Sequence, residues 1–482
     1  MPTSLPVTGR GRRNAELSLL LFAMLLVAAY AATVEANLLG TVTADFWVPT
    51  AILTVVFVGV HLAIRWLAPF ADPVLLPAVA LINGLGVGFL RRLDIAELPA
   101  KVRANAPIFE GTGGRQLAWT VASVVLAVGL LVVIRDHRVV SKYAYTLGLS
   151  GIVLVLIPAV LPAAYSEINH AKLWIIIGGF TIQPGEFAKL ALLSFYAYYL
   201  VRKREVLSLA SRRFMGVDFP RGRDLGPVVV VWLLSLMVLV FEKDLGTSLL
   251  YFGMFVVTLY IATERVSWLL IGLLLFIGGA FSAYYLGKSI HGPFDNFVVR
   301  VDTWLDPFGD PFDKGYQLSQ SLLGLGTGGM FGAGPGGGQP TKIPEVHNDF
   351  IFAGMGEEIG LFGLTALLAI YLLIAQRGVR AALGVRDSFG KLVAGGLSFT
   401  LALQVFVIVG GVSKLIPLTG QTTPFLSAGG SSLMANWLLI AVLLRISDAA
   451  RQPVHGGTPG AGGPRISPPG PLHGATTEVI RP

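Results

Sequence analysis

Four aspartates crowd one stretch of this chain. The run Arg300-Val-Asp-Thr-Trp-Leu-Asp-Pro-Phe-Gly-Asp-Pro-Phe-Asp-Lys-Gly-Tyr-Gln-Leu-Ser-Gln-Ser321 carries Asp302, Asp306, Asp310 and Asp313. A carboxylate within hydrogen-bond reach of a hydroxyl can take its proton as a general base. Several together can hold a divalent cation such as magnesium or manganese. The plainer alternative is an exposed acidic loop with Asp-Pro turns. Composition does not choose among the four.

Other charged residues lie beside or inside apolar runs, where an ionised side chain is costly and marks a functional hypothesis. Glu186 and Lys189, in Gln183-Pro-Gly-Glu-Phe-Ala-Lys189, stand three apart and share one helix face. They are read either as part of a site or as an interfacial ion pair that orients the helix. Glu242, Lys243 and Asp244 sit in a tight connector. Glu357 and Glu358 are adjacent in an apolar run, so at least one should meet a polar cavity or a partner, unless the span starts only after Gly360. The glycine-rich stretch 324–338 lacks a Walker lysine pattern. It is either a linker or backbone brought close to a polar ligand. His170 and His347 have no partner at metal-ligand spacing, and the chain has no cysteine, so zinc and thiolate chemistry are not expected.

The elements that must position these groups are membrane helices. The chain is 54% hydrophobic and 13% charged, about half the charge of a soluble domain. Its apolar residues come in long runs, and crossing the hydrocarbon takes about 20 of them. We expect about twelve helical spans, near 17–33, 47–66, 74–90, 117–134, 143–161, 187–200, 227–241, 247–262, 266–285, 350–375, 392–412 and 433–444. With the N-terminus inside and the spans alternating, inner segments hold roughly twice the Lys and Arg of outer ones. The segment 91–115, with five basic residues, runs against that trend. Both termini are then cytoplasmic, the aspartate stretch lies in a long outer loop, 286–348, and no nucleic-acid partner is expected for the basic chain. The apolar but Pro- and Gly-broken segment 413–432 reads as re-entrant. The tail, 449–482, rich in Gly and Pro, is expected to be disordered.

Taken together, the motifs resemble the SEDS (shape, elongation, division and sporulation) family of bacterial cell-wall proteins. The matching segments are Ala171-Lys-Leu-Trp174 with Gln183–Lys189, Asp244-Leu-Gly-Thr-Ser248, Trp304-Leu-Asp-Pro-Phe-Gly-Asp-Pro311 and Gly315-Tyr-Gln-Leu-Ser-Gln-Ser321. Asn348-Asp-Phe-Ile-Phe-Ala353, Gly356-Glu-Glu-Ile-Gly360, Pro417-Leu-Thr-Gly420 and Pro424-Phe-Leu-Ser-Ala-Gly-Gly-Ser-Ser432 complete the set, in the family's order. The resemblance implies an all-α polytopic membrane protein with a ten-span core over 74–448. Two extra N-terminal spans fall in 17–73, after a short cytoplasmic segment, 1–16. This arrangement is most like the elongation branch of the family in actinobacteria.

The resemblance further implies a peptidoglycan glycosyltransferase in the bacterial cytoplasmic membrane, with its active site on the outer face. It would polymerise lipid II, a disaccharide-pentapeptide on undecaprenyl pyrophosphate, beside a class B penicillin-binding protein that cross-links the strand. The family's essential aspartate matches Asp310, as general base, as a ligand for a divalent cation, or both. Lys172, Lys189, Arg300 and Lys414 are the cations that could meet the leaving pyrophosphate. Trp174, Glu186, Asp244, Gln317, Glu357 and Ser431, all in the matched segments, complete the candidate substrate-binding or supporting set. A lipid II flippase would use the same buried charges but needs them near the midplane. A non-catalytic scaffold would tolerate loss of Asp310.

Overall fold

The computed structural model describes residues 9–453, apart from 100, 101, 104–106, 169, 170, 179, 209–211, 215, 216, 220, 221, 242, 243, 290, 291 and 293. The tail from 454, His170, Glu242 and Lys243 therefore lie outside the described residues. Every apolar run expected to cross a bilayer is a helix, because backbone groups without water must pair within their own segment. In chain order these are α1 (Gly9–Leu39), α2 (Trp47–Leu67), α3 (Leu75–Glu97), α4 (Gly111–Val133), α5 (Ala144–Val160), α6 (Pro184–Ser208), α7 (Gly222–Phe241), α8 (Leu245–Thr263) and α9 (Ser267–Ser289). Two shorter helices follow, α10 (Asp295–Leu305) and α11 (Tyr316–Gly328), and then α12 (Ile351–Gly384), α13 (Ser388–Val412) and α14 (Gly430–Arg451). Among the described residues nine helices are long and apolar enough to cross a membrane, and α5 is a shorter apolar one.

The helices are longer than the apolar runs that announce them, and this moves several charges. α3 extends to Glu97, so Arg91, Arg92 and Asp94 are helical and not part of a loop. α6 starts at Pro184, which suits a first helical position since it has no N–H to leave unpaired. Glu186 and Lys189 are thus inside the helix. α14 runs past the expected core limit at 448 to Arg451. The expected loop 286–348 holds α10 and α11. Three small antiparallel hairpins also stand outside the all-α expectation: β1 (Glu167–Ile168) with β2 (Ala171–Lys172), β3 (Ile175–Ile177) with β4 (Phe180–Ile182), and β5 (Arg212–Phe214) with β6 (Val217–Phe219).

Of the nine membrane-length helices, α3, α13 and α14 are the most enclosed, whereas α9 buries only Gly272 and Gly287 among its residues. At the end of the bundle away from α10 and α11, Arg445 closes the frame. It donates to the carbonyls of Leu67 (2.6 Å), Leu131 (2.5 Å) and Ile134 (2.8 Å), at the ends of α2 and α4. Asp448 accepts from the Phe70 N–H at 2.8 Å, and Asp72 pairs with Arg451. Nearby, Glu16 bridges Arg13 (2.6 Å) and His61 (2.7 Å) between α1 and α2.

The segment 413–429 has no helix or strand, yet Thr423, Phe425, Leu426 and Ser427 are buried. Buried irregular backbone needs partners, and side chains from several helices supply them. Gln116 of α4 donates to the Ser427 carbonyl (2.8 Å), Tyr371 of α12 to Pro424 (2.5 Å), and Gln404 of α13 to Thr422 (3.0 Å).

Candidate functional site

α10 lies over 413–429. Its Arg300 donates to the carbonyls of Leu418 (3.3 Å) and Thr419 (2.7 Å), and its Trp304 to the carbonyl of Lys414 (3.1 Å). Behind α10 the chain turns through 306–315, the turn that carries Asp310. The Gly315 N–H donates to the Asp310 carbonyl (2.9 Å), and Ser319 of α11 donates to the Pro307 carbonyl (2.7 Å). Ser321 in turn donates to Val412 (3.1 Å), so both helices flanking the turn are fastened to the start of the irregular segment. Asp310 is exposed at the surface of this turn.

All four aspartates are exposed, and two of them have close neighbours. Asp302 accepts from the Tyr284 hydroxyl (2.7 Å) and lies 3.7 Å from Lys288. Asp306 folds over Gly309, where a Cβ would sit 2.4 Å from its carboxylate. Asp313 and Asp310 are exposed. Among the described residues no three His, Cys, Asp or Glu side chains converge as a metal site.

Beneath α10, the expected residues Glu186, Lys189, Asp244, Arg300 and Ser431 gather around the same irregular segment. Lys189 bonds Glu186 at 2.6 Å and Gln404 at 3.2 Å, both carboxylate and ammonium being buried. The pair is therefore an internal tie between α6 and α13, not an interfacial one. Asp244 caps α8 by accepting from the Thr247 N–H (2.9 Å). Gln421 donates to both Asp244 (3.3 Å) and the Thr247 hydroxyl (3.0 Å), and Ser431 accepts from the Gln183 N–H (2.9 Å).

Burial sets the charges here. It raises the Asp244 carboxyl, against the Thr247 bonds and the attraction of Arg300. Burial lowers Arg300, which Asp244 and Asp349 oppose. Asp349, just before α12, is pushed up to about 7 by burial, with Glu345 adding and Arg300 opposing.

Of the remaining candidates, Lys414 lies in the irregular segment itself and Gln317 in α11 beside the turn, whereas Lys172, Trp174 and Glu357 belong to other elements. Lys172 is half-buried in β2, in register with Glu167. Trp174 is half-buried, with its N–H on the Ser166 carbonyl (3.3 Å). Gln317 is exposed in the first turn of α11, and Lys414 is exposed with a φ of +61°. Glu357 accepts from the Gln339 N–H (2.9 Å), while its neighbour Glu358 is buried and takes Arg92 Nε at 2.5 Å. Both readings of this glutamate pair hold in part, since the helix breaks at Gly360 (φ +65°, ψ −174°) and Glu358 also has a buried partner.

The glycine-rich stretch has a structural task at that break. The Ala333 and Gly334 N–H groups donate to the carbonyls of Glu357 and Glu358 (both 2.9 Å). The Leu361 and Phe362 N–H groups donate to the carbonyls of Gly329 (2.9 Å) and Met330 (3.1 Å). A Cβ on Gly332 would lie 2.1 Å from the Glu358 carbonyl oxygen, so only glycine permits the approach. Sequence reasoning missed Arg92, Asp349, Gln404 and Gln421. By hydropathy Arg92 reads as a loop charge, whereas α3 runs on to Glu97. Gln404, an amide in the apolar run of α13, carried a usable signal, because an amide in an apolar helix needs a partner.

The family model for cell cycle proteins, covering FtsW, RodA and SpoVE, matches residues 73–452. The peptidoglycan glycosyltransferase RodA of Mycobacterium tuberculosis (strain H37Rv) is 46% identical over 469 residues, 97% of this chain and 96% of that protein. Stage V sporulation protein E of Bacillus subtilis is 36% identical over 320 residues, 65% of this chain and 80% of that one. A chain solved in a peptidoglycan synthase complex that coordinates polymerization and crosslinking is 25% identical, with a TM-score of 0.60, over 80% of this chain and 99% of its own length. The rod shape determining protein RodA of Thermus thermophilus shares the fold, at 24% identity and a TM-score of 0.54, over 81% of this chain and all of its own. By the breadth of the match and the identity to its relatives, this polytopic membrane chain belongs to the FtsW/RodA/SpoVE family, the SEDS family its motifs resemble.

Proposed function

We propose that this membrane-embedded peptidoglycan glycosyltransferase joins the disaccharide units of lipid II at the Asp310 turn, for elongation of the cell wall. The observation that carries the reading is the motif match that puts the family's aspartate at Asp310, supported by its exposure on a turn fastened at both flanks. Asp310 takes the proton of the acceptor's sugar 4-hydroxyl as that oxygen attacks the donor's anomeric carbon. The new glycosidic bond forms with inversion, the bond to the pyrophosphate oxygen breaks, and undecaprenyl pyrophosphate leaves. Lys172 and Lys414 supply positive charge for the leaving group. Lys189, already bonded to Glu186 and Gln404, holds α6 to α13. Arg300 fixes α10 to the irregular segment through the carbonyls of Leu418 and Thr419.

Among the described residues the carboxylates do not form a protein-built metal cage. A magnesium or manganese ion would come held largely by the pyrophosphate, with at most a carboxylate or two from the protein. The distribution of Lys and Arg supports an outer-face site in the cytoplasmic membrane with both termini inside. A class B penicillin-binding transpeptidase is the proposed partner, supported by the likeness to a chain of a peptidoglycan synthase complex.

Polymerisation of purified lipid II tests the reading. Asp310→Ala and Asp310→Asn should lower the rate by a factor of about 10² or more while the protein stays folded and monodisperse. Full activity in either variant would sink the assignment. Wild-type activity that survives a chelator unchanged removes the metal from the proposal.

A further inference from the structure

α1 lies outside the residues the family model matches, yet it touches the segment that follows α11. The Tyr30 hydroxyl donates to Glu358 Oε2 at 3.2 Å, and Arg92 takes the other carboxylate oxygen. Arg92 also donates to the Gly338 carbonyl at 2.5 Å. About two turns further on, Asn37 donates to the Pro335 carbonyl at 2.8 Å. A Cβ on Gly336 would lie 3.1 Å from the Val34 carbonyl oxygen. The stretch 333–338 is thus held by the break in α12, by Arg92 and by α1. It continues α11, whose first turn abuts the Asp310 turn through Gly315 and Ser319.

We infer that α1 is a positioning element for the Asp310 turn, with Tyr30 and Asn37 as the positioning residues. Tyr30 orients Glu358, and through it Arg92 and the Gly338 carbonyl. Asn37 holds the same stretch directly by its backbone. Neither residue touches substrate, so both act on the geometry of the turn and not on lipid binding. The inference rests on the Asp310 turn being where the sugars react.

The test uses the full-length protein carrying Tyr30→Phe, Asn37→Ala or both, with Leu25→Ala, exposed on another face of α1, as control. Turnover and KM for lipid II are measured together with amide hydrogen exchange over 329–339. The expected result is a drop in kcat of about fivefold per variant, the scale of one neutral hydrogen bond, at unchanged KM and thermal midpoint. Exchange over 329–339 should rise, and the control should match wild type. Wild-type kcat in the double variant, or a fall in kcat matched by loss of thermal stability without faster exchange there, overturns the inference. An Asp310→Asn arm separates the two failures. If it is inactive while the double variant is fully active, only the role of α1 fails. If it is active, the site reading underneath fails, whatever the exchange shows.

Discussion

Arg300 stands between two carboxyls that burial pushes toward their neutral forms, Asp244 and Asp349. For Asp349, held at about 7, the fold favours the protonated acid. Its contribution to stability is complete below the ordinary carboxylate value of about 4 and is lost as pH rises through about 7. Asp349→Asn should therefore gain on the wild type as pH rises, and the two should differ least in acid. Thermal midpoints in detergent across that range check this, and parallel curves would refute it. Glu358 is buried and ion-paired with Arg92. Arg92→Met strands a buried carboxylate and should cost about 3–5 kcal/mol, with part of the loss restored by adding Glu358→Gln. Denaturation of the single and double variants measures the coupling. The need of the glutamate pair for a partner could be read from the sequence. Arg92 as that partner could not, because hydropathy ends near Leu90 while α3 continues to Glu97. Asp310 was chosen by resemblance alone, since four aspartates at short spacing look alike until their neighbours in space are known.

At the scale of elements, the break in α12 is the joint on which the loop region turns. Gly360 has a backbone conformation that side chains avoid, and a Cβ there would lie 2.3 Å from the Gly332 nitrogen. Gly360→Ala should cost on the order of 1–3 kcal/mol in backbone strain beyond the clash, and should release 329–334 from the helix. Limited proteolysis of that stretch reports it, and an unchanged cleavage pattern would count against the joint. Apolar periodicity announces α12 but not its docking partner. Backbone pairing between distant segments leaves no side-chain pattern, so the glycines could be read as linker or as cradle. α10 did carry a helical signature, with Phe297, Val298, Val301, Trp304 and Leu305 spaced along one face. At 11 residues it is too short to show as a membrane-length run.

At the scale of the whole bundle, the two ends are built differently. The end with Arg445 is a frame of charges on carbonyls and carboxylates, tying α2, α4 and α14. Arg445→Met strands three acceptors, each worth about 1–3 kcal/mol when left buried, and should lower the thermal midpoint markedly. At that end too, the His137 bond and the Gly390 N–H overcome the opposing effect of burial and hold Asp387 at about 2. Its contribution is lost as pH falls from about 4 toward 2, so Asp387→Asn should destabilise at neutral pH and converge on the wild type in acid. The end with α10 and α11 is instead organised around 413–429, whose carbonyls are met by Gln116, Tyr371, Gln404 and Arg300. Those four partners all precede the segment in the chain, whereas Ser431, which accepts from Gln183, comes after it. During synthesis the segment thus emerges into a bundle whose anchors are already made, and only α14 remains to be inserted. The region proposed for chemistry is among the last parts of the molecule to close, and a nascent chain halted before α14 would hold Asp310, Lys172 and Lys414 without the helix whose Ser431 meets Gln183.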